Sequence, residues 1–190
     1  MPTNMTKLGV TLTMTTRIFG SGIRRREDPR LMTGQATYTD DISLAGMVHA
    51  AILRSPHAHA KINSIDTSAA KSAPGVLAVY TSADTVGVLN PIPCAWQPPD
   101  SDIKAVDHHA LAVDVVRYVG DAVAVVVAEN RYQAEDALEL ISVDYGAMPS
   151  VTNPKAAMDA GAPKLHEDAP NNQAFHWVVA GGDTDAAFAE

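Results

Sequence analysis

The most regular pattern of hydrophobic positions runs from residue 118 to 145, YVGDAVAVVVAENRYQAEDALELISVDY. Residues 118–128 are almost entirely Val and Ala, which predicts a strand buried on both faces, with Asp121 as its only interior charge. ISVDY, residues 141–145, predicts a second strand that Gly146 and Pro149 close. The stretch therefore predicts strand, helix and strand in succession.

The helix between these strands has a start signal and an apolar stripe. Asn130 is a favourable N-cap, and Gln133, three residues on, is placed to reach back to the Asn130 amide. The stripe has helical spacing and leaves the charged residues facing water; it comprises Ala134, Ala137, Leu138 and Ile141, opposite Glu135, Asp136 and Glu139. A helix crossing between two strands normally makes them parallel, although another strand can lie between them.

A second unit of the same type precedes the first. AKINSID (60–66) predicts a strand, SAAKSA (68–73) a short helix capped by Asp66 or Thr67, and VLAVYTSAD (76–84) the returning strand. GMVHAAILRS (46–55) predicts one further strand before this unit. The elements together favour an α+β fold.

Two segments break the pattern. Residues 87–109 show neither the helical nor the strand periodicity of hydrophobic residues, and they contain four prolines around Cys94 and Trp96. This segment therefore predicts a long surface loop. GGDTDAAFAE (181–190) begins a helix with Asp183 or Thr184 as its cap but has no stop signal. We therefore expect the natural polypeptide to continue, and this chain to be a fragment or one half of a split gene.

Composition narrows the function. The chain has 14 basic and 22 acidic residues, a net charge of -8, which disfavours nucleic acid and anionic membrane as partners. One cysteine excludes an internal disulfide, a four-cysteine zinc site and an iron-sulfur cluster within the chain. Residues 1–16 lack a secretory signal and predict a disordered leader, and no apolar run would span a bilayer. A cytoplasmic location is expected.

Histidines and Cys94 are the first candidates for chemistry. His57 and His59 in SPHAHA would share one face of a strand and offer two metal ligands, but no carboxylate lies at ligand spacing, so a polar corner between strands is the preferred interpretation. His108 and His109 are adjacent and tend to point apart, and no partner stands at diagnostic spacing from His166 or His176. Cys94 lacks a local base or helix N-terminus that would activate it, so an inert loop thiol is favoured.

Other motifs are weaker still. Gly20-Ser21-Gly22 follows no predicted strand and precedes no GK[ST], so a flexible turn is favoured over a phosphate loop. RRREDPR (24–30) compensates much of its own charge and predicts a solvated or intersubunit ion-pair surface. No GxSxG motif or diagnostic carboxylate pair is present. The sequence thus predicts no catalytic, cofactor-binding or metal-binding residue in this chain.

Several blocks resemble the start of the large subunits of molybdenum hydroxylases, the family of xanthine dehydrogenase, aldehyde oxidase and aerobic carbon monoxide dehydrogenase. The resemblance covers residues 17–190 and rests on GxxxYTDDI, LRSPHAHAKI, PGVLAVYT, RYVGDAVAVVVAE and QAEDALELISVDY. EDPRLMTG, LRSPHAHAKI and NNQAFHWVVAGGDTDAAFAE look closest to carbon monoxide dehydrogenase large subunits.

The resemblance implies an α/β hammerhead domain with a mixed sheet and short crossover helices, preceded by an extended N-terminal segment. It assigns residues 17–45 to that segment, 46–152 to the hammerhead, and 153–190 to a linker and the start of a truncated following domain. It also implies that molybdenum-molybdopterin cytosine dinucleotide lies in the remainder of the large subunit, and that [2Fe-2S] clusters and FAD lie in partner subunits or domains. The isolated chain is expected to be inactive. The alternative is a freestanding, non-catalytic module for subunit binding or assembly.

Overall fold

The computed structural model describes residues 20, 22–96, 98–99, 101–104, 106–179 and 181–189, and the leader predicted at 1–16 lies outside them. The chain divides into two compact units, residues 1–46 and 47–190. In the first unit, helix α1 spans Asp28–Met32 and a 3-10 turn spans Thr39–Asp41. Arg25 Nε lies 3.1 Å from Asp28 Oδ1, which agrees with the self-compensating charge predicted for RRREDPR.

The second unit contains six strands and four further helices among the described residues. In chain order these are β1 (His49–Arg54), β2 (Ala60–Asp66), α2 (Ser68–Lys71), β3 (Val76–Thr81), α3 (Ser82–Thr85), β4 (Val115–Val116), β5 (Ala122–Ala128), α4 (Arg131–Leu138), β6 (Ser142–Ala147) and α5 (Thr184–Ala189), with a 3-10 turn at Ala156–Met158 before α5. None of the helices in the described part of the chain has the length and apolar character that a bilayer crossing requires.

The strands form two three-stranded sheets with the orders β1-β5-β3 and β4-β2-β6. Within each sheet, neighbouring strands pair antiparallel. The unit β2-α2-β3 crosses from the second sheet to the first, and β5-α4-β6 crosses back. The predicted α+β class with short crossover helices is confirmed. The parallel pairing expected for β5 and β6 is wrong, because the two strands belong to different sheets.

The main core lies between the first sheet and the helices α2 and α4. It contains Ala124 and Val126 of β5 and Val79 of β3, packed against Ala137 and Ile141. A second core joins Val123 to Ala60, Ala112 and Val116. The predicted stripe on α4 is confirmed, since Ala134 and Ala137 are buried while Glu135, Asp136 and Glu139 are exposed.

Caps and turns resolve the open alternatives in the sequence. Asp66 Oδ1 accepts the Ser68 N–H at 2.9 Å, whereas Thr67 occupies the N-cap position of α2 without a side-chain cap bond. Asp183 Oδ1 accepts the Ala186 N–H at 2.9 Å at the start of α5. Asn130 Oδ1 accepts the Gln133 N–H at 3.0 Å, which confirms the N-cap of α4. These side chains satisfy helix N–H groups that have no intrahelical partner.

Four local predictions are wrong. Residues 118–121 form a turn in which Gly120 has φ +94°, so β5 begins at Ala122 and Asp121 precedes the strand. Residues 82–84 leave the strand because Asp84 Oδ2 accepts the Thr81 N–H at 2.7 Å and starts α3. Gly146 lies within β6 rather than closing it. The Gln133 side chain does not reach back to Asn130, and its Oε1 is buried with no hydrogen-bond partner among the described residues.

Candidate functional site: a polar corner beside Asp121

The connection from β1 to β2 continues the ladder between β1 and β5. Ser55 is buried, its N–H donates to the Asp121 carbonyl at 2.8 Å, and its own carbonyl accepts the Gly120 N–H at 2.8 Å. Ser55 Oγ accepts the His57 N–H at 3.0 Å and donates to the His57 carbonyl at 3.1 Å. Arg54 closes the same turn by donating to the Gly120 carbonyl at 2.9 Å. SPHAHA therefore forms a tight corner whose backbone groups are satisfied locally.

The two histidines of this corner have separate partners. The His57 ring packs on Tyr145, with ring centroids 4.9 Å apart and an interplanar angle of 55°. His59 is buried, and its Nδ1 lies 2.8 Å from the Pro149 carbonyl oxygen. Because a carbonyl can only accept, this bond places a proton on Nδ1. Within the described ranges, no cluster of three or more His, Cys, Asp or Glu side chains has an arrangement that could hold a metal ion.

Asp121 is the most buried acidic side chain described, with 8% of its surface exposed. Its Oδ2 accepts the Arg117 backbone N–H at 3.0 Å. Burial raises the pKa of Tyr118, and the nearby Asp121 charge and a hydrogen bond to Asp121 raise it further. A phenol that donates to a carboxylate resists ionisation because its anion would face a like charge. Asp121 thus uses its charge to hold the turn that leads into β5.

Arg117 and His166 line a small cavity together with Asp121. Arg117 Nε donates to the Leu165 carbonyl at 2.9 Å, which ties this turn to a segment 48 residues further along the chain. Burial lowers the pKa of His166, and the Arg117 charge lowers it further. The neutral imidazole is therefore favoured at neutral pH. We call this group the polar corner; its members are Ser55, His57, His59, Arg117, Tyr118, Asp121 and His166.

The molybdopterin cofactor implied by the family resemblance does not fit the cavities beside the polar corner. The cavity beside Asp121, His108 and His166 has a volume of about 70 Å³, and a neighbouring cavity lined by His109, Arg117 and His166 has a volume of about 260 Å³, whereas small-molecule and cofactor sites measure roughly 300–1,000 Å³. A larger groove of about 410 Å³ lies along residues 151–175, but its lining includes no Lys, Arg or His for a phosphate. Asn172 in that groove donates to the Ala157 and Pro163 carbonyls at 2.8 and 2.9 Å.

The remaining candidates from the sequence stay apart from the polar corner. Cys94 is exposed, and its Sγ donates to the Trp96 carbonyl at 3.3 Å. The Trp96 ring packs edge-on against Phe175 at 4.8 Å and Trp177 at 5.5 Å. Of the Gly20-Ser21-Gly22 motif, Ser21 is outside the described residues.

Sequence reasoning found the SPHAHA corner but missed the Arg117, Tyr118 and His166 part of it. The available signal for this part was Asp121, a charged residue that follows Gly120 at the start of a Val-rich run. A carboxylate buried at such a position needs hydrogen-bond donors around it, so Asp121 indicated a polar cluster. His166 gave no signal, since its partners come from distant parts of the chain.

Comparison with known proteins identifies the fold. The family model described as aldehyde oxidase and xanthine dehydrogenase, a/b hammerhead domain, matches residues 33–149. Nicotine 6-hydroxylase large subunit from Paenarthrobacter nicotinovorans is 39% identical over 92% of this chain and 21% of its own length. Carbon monoxide dehydrogenase large chain from Afipia carboxidovorans is 40% identical over 92% of this chain and 22% of its own length.

A solved structure agrees with the sequence comparison. The aldehyde oxidoreductase from Desulfovibrio gigas superposes with a TM-score of 0.72 and 31% identity, over 90% of this chain and 19% of that one. The chain thus spans about a fifth of the length of the relatives it matches. The predicted likeness to carbon monoxide dehydrogenase is confirmed, although the nicotine hydroxylase is matched at nearly the same identity. The chain belongs to the aldehyde oxidase and xanthine dehydrogenase family, in which its residues 33–149 correspond to the a/b hammerhead domain.

Proposed function

We propose that the chain is the N-terminal structural domain of the large subunit of a molybdopterin-dependent oxidoreductase of the carbon monoxide, aldehyde or xanthine dehydrogenase type, and that it has no catalytic site of its own. The observation that carries this proposal is the share of each protein that the sequence match covers. Relatives named as hydroxylases and dehydrogenases match nine-tenths of this chain, yet the match takes up only about a fifth of their length.

The geometry of the polar corner supports a structural role. Asp121 accepts from a backbone N–H, Arg117 donates to a backbone carbonyl, and His59 is bonded to the carbonyl of Pro149. Groups bonded in this way hold chain segments together. Removing such a partner leaves a buried group unsatisfied, which costs about 1–3 kcal/mol.

The cofactors and partners follow from this assignment. Molybdenum-molybdopterin cytosine dinucleotide would be held by the remainder of the large subunit, and [2Fe-2S] clusters and FAD by partner subunits or domains, all in the cytoplasm. Within the chain, we propose an extended segment at 17–45, the hammerhead at 46–152, and a linker with the start of a following domain at 153–190. No residue of the chain is assigned a catalytic, cofactor-binding or metal-binding role.

The first test uses the purified 190-residue chain. We expect no molybdenum by elemental analysis and no oxidation of carbon monoxide, an aldehyde or a purine in the presence of an artificial electron acceptor. Stoichiometric molybdenum in this chain, or reproducible turnover by it, would contradict the proposal.

The second test uses the tagged chain expressed in its native host. We expect a larger polypeptide to co-purify and to bring molybdenum with it. A chain that emerges without molybdenum and without such a polypeptide would instead leave two alternatives, a fragment of a large subunit or a freestanding, non-catalytic hammerhead module.

A further inference from the structure

Histidines and an arginine from three parts of the chain line two adjoining cavities. The cavities have volumes of about 70 and 260 Å³, and both are lined by His109, Arg117 and His166, while His108 lines the smaller one. His108 and His109 come from the loop before β4, Arg117 from the turn between β4 and β5, and His166 from the segment 163–172. We call the two cavities together the histidine pocket.

The carboxylates of the histidine pocket can offset only part of the positive charge that protonated histidines would add. Asp121, which is buried, is already engaged, since it accepts the Arg117 backbone N–H at 3.0 Å and a hydrogen bond from Tyr118. The other carboxylates that line the pocket are exposed, so water screens their charges; they are Asp107, Glu167 and Asp168. A protonated histidine of the pocket would therefore face the Arg117 guanidinium with little compensation.

His166 is the histidine whose protonation the docked segment opposes. Burial lowers its pKa, the charge of Arg117 lowers it further, and His108 and His59 act in the same direction, whereas Asp168 acts against them. A group whose pKa is lower in the docked arrangement than in water binds its proton better when the segment is released. His166 therefore favours docking above pH 6.5 and favours release as the pH falls through its lower pKa in the docked state.

Arg117 is also the side chain that fastens segment 163–172 to the turn. Its Nε donates to the Leu165 carbonyl at 2.9 Å. Asn172 Oδ1 accepts the Leu165 N–H at 3.0 Å, which holds the two ends of the segment together. The docked segment buries Ala169, which is 4% exposed. Because the charge that opposes protonation of His166 belongs to the same guanidinium that holds the segment, uptake of a proton acts directly on this attachment.

We propose that the histidine pocket is an acid-sensitive latch for segment 163–172, which stays docked while His166 is neutral and is released when His166 takes up a proton. The release is local. Among the described residues, the main core between the first sheet and the helices α2 and α4 includes none from the segment or from the lining of the histidine pocket. The segment lies between β6 and α5, so the latch controls how firmly the chain beyond the two sheets is held.

Thiol labelling of the full 190-residue chain measures the release. Cys94→Ser removes the natural thiol, and Ala169→Cys places a new one at the buried position of the segment. The matched control is Ala160→Cys, at an exposed position. Labelling with 4,4′-dithiodipyridine gives a rate for each thiol, and the ratio of the two rates corrects for the effect of pH on thiol reactivity. We expect the protection of position 169 relative to position 160 to fall at least about threefold from about pH 8 to about pH 5.

Substitutions of His166 assign the effect to its charge. His166→Gln keeps a neutral polar side chain and should preserve the protection of position 169 at both pH values. His176→Gln is the matched control, because His176 is exposed and lines neither cavity, and it should leave the fall unchanged. His166→Arg carries a permanent charge and should lose the protection at about pH 8 as well.

Several outcomes would overturn the inference. They are a protection ratio in the parent chain that does not change with pH, an equal fall in His166→Gln, and full protection in His166→Arg. Loss of the far-ultraviolet circular dichroism of the parent chain at about pH 5 would also overturn it, because the release would then belong to global unfolding.

Amide hydrogen exchange of the chain without substitutions gives a second readout that does not depend on how Ala169→Cys folds. Protection of segment 163–172 relative to α4 should fall from about pH 8 to about pH 5 once the intrinsic pH dependence of exchange is removed, and unchanged relative protection would contradict the latch. Neither assay involves molybdenum or a partner, so their results test the latch separately from the proposed function.

Discussion

Replacing Gly75 by alanine perturbs the point where the two strand-helix-strand units meet. Gly75 ends the turn before β3 with φ +76°, and its carbonyl accepts the Glu129 N–H at 2.9 Å. An added Cβ would overlap the side-chain amide of Gln133. The substitution therefore has two costs, a left-handed backbone for a residue with a side chain and the displacement of a neighbouring side chain.

The two costs have separate magnitudes. The left-handed conformation costs a non-glycine residue about 1–2 kcal/mol. The added Cβ meets only the terminal amide of the flexible Gln133 side chain, which can turn away, so the second cost is at the low end of the roughly 1–3 kcal/mol for overpacking. We expect Gly75→Ala to lower the free energy of unfolding by about 2–3 kcal/mol. Gly87→Ala is the matched control, because Gly87 has φ +82° but nothing within 4 Å of an added Cβ. That variant should lose only the backbone part, about 1–2 kcal/mol.

Urea unfolding followed by circular dichroism measures both variants. In a Gln133→Ala background, Gly75→Ala should lose only the backbone part, so the two substitutions should show a coupling energy of about 1 kcal/mol or more. Equal losses for Gly75→Ala and Gly87→Ala, or the same loss for Gly75→Ala with and without Gln133, would refute the reasoning.

Three further predictions concern the polar corner and α4. Asp121→Asn should lower the pKa of Tyr118 only part of the way toward 10.0, because burial remains the larger cause; an unchanged ultraviolet titration of the phenol would contradict this. The pKa of His166 is lowered below 6.5, so its contribution to stability is complete above pH 6.5 and is lost as the pH falls through its lower folded-state pKa. His166→Gln should flatten that part of the stability profile, and an unaltered profile would exclude the role. Asn130→Ala should cost about 1 kcal/mol in urea unfolding by removing the N-cap, whereas a neutral result would count against it.

Local signals in the sequence predicted the elements well. Asn130 and the stripe from Ala134 to Ile141 are sufficient to place α4, because capping and helical spacing depend on neighbours within four residues. At the start of α2 the same kind of signal left Asp66 and Thr67 as alternatives. The same reasoning failed at Tyr118–Asp121, where a turn interrupts the hydrophobic pattern, since one glycine with a positive φ is invisible to a count of apolar residues.

Sheet membership and the candidate site could not be predicted in the same way. The run from Ala122 to Ala128 is equally compatible with a parallel or an antiparallel neighbour, and the register with β1 and β3 depends on residues far away in the chain. His166 is brought near Arg117 because Arg117 donates a hydrogen bond to the carbonyl of Leu165, which lies 48 residues later in the chain. A single sequence contains no local pattern that reports such a contact.

The order in which the strands pair has a consequence during synthesis. Strands β3 and β5 pair with each other, and along the chain both lie between β2 and β6, which form the other pair. The β3/β5 pairing is therefore nested within the β2/β6 pairing. As the chain leaves the ribosome, β2 emerges early but must wait for β6 at residues 142–147 before one of its edges is paired. Throughout that interval an unpaired strand edge is open to pairing with other nascent chains, which is a known route to aggregation. The yield of folded protein in the cell would therefore depend on how quickly β3 pairs with β5 and brings β2 and β6 together.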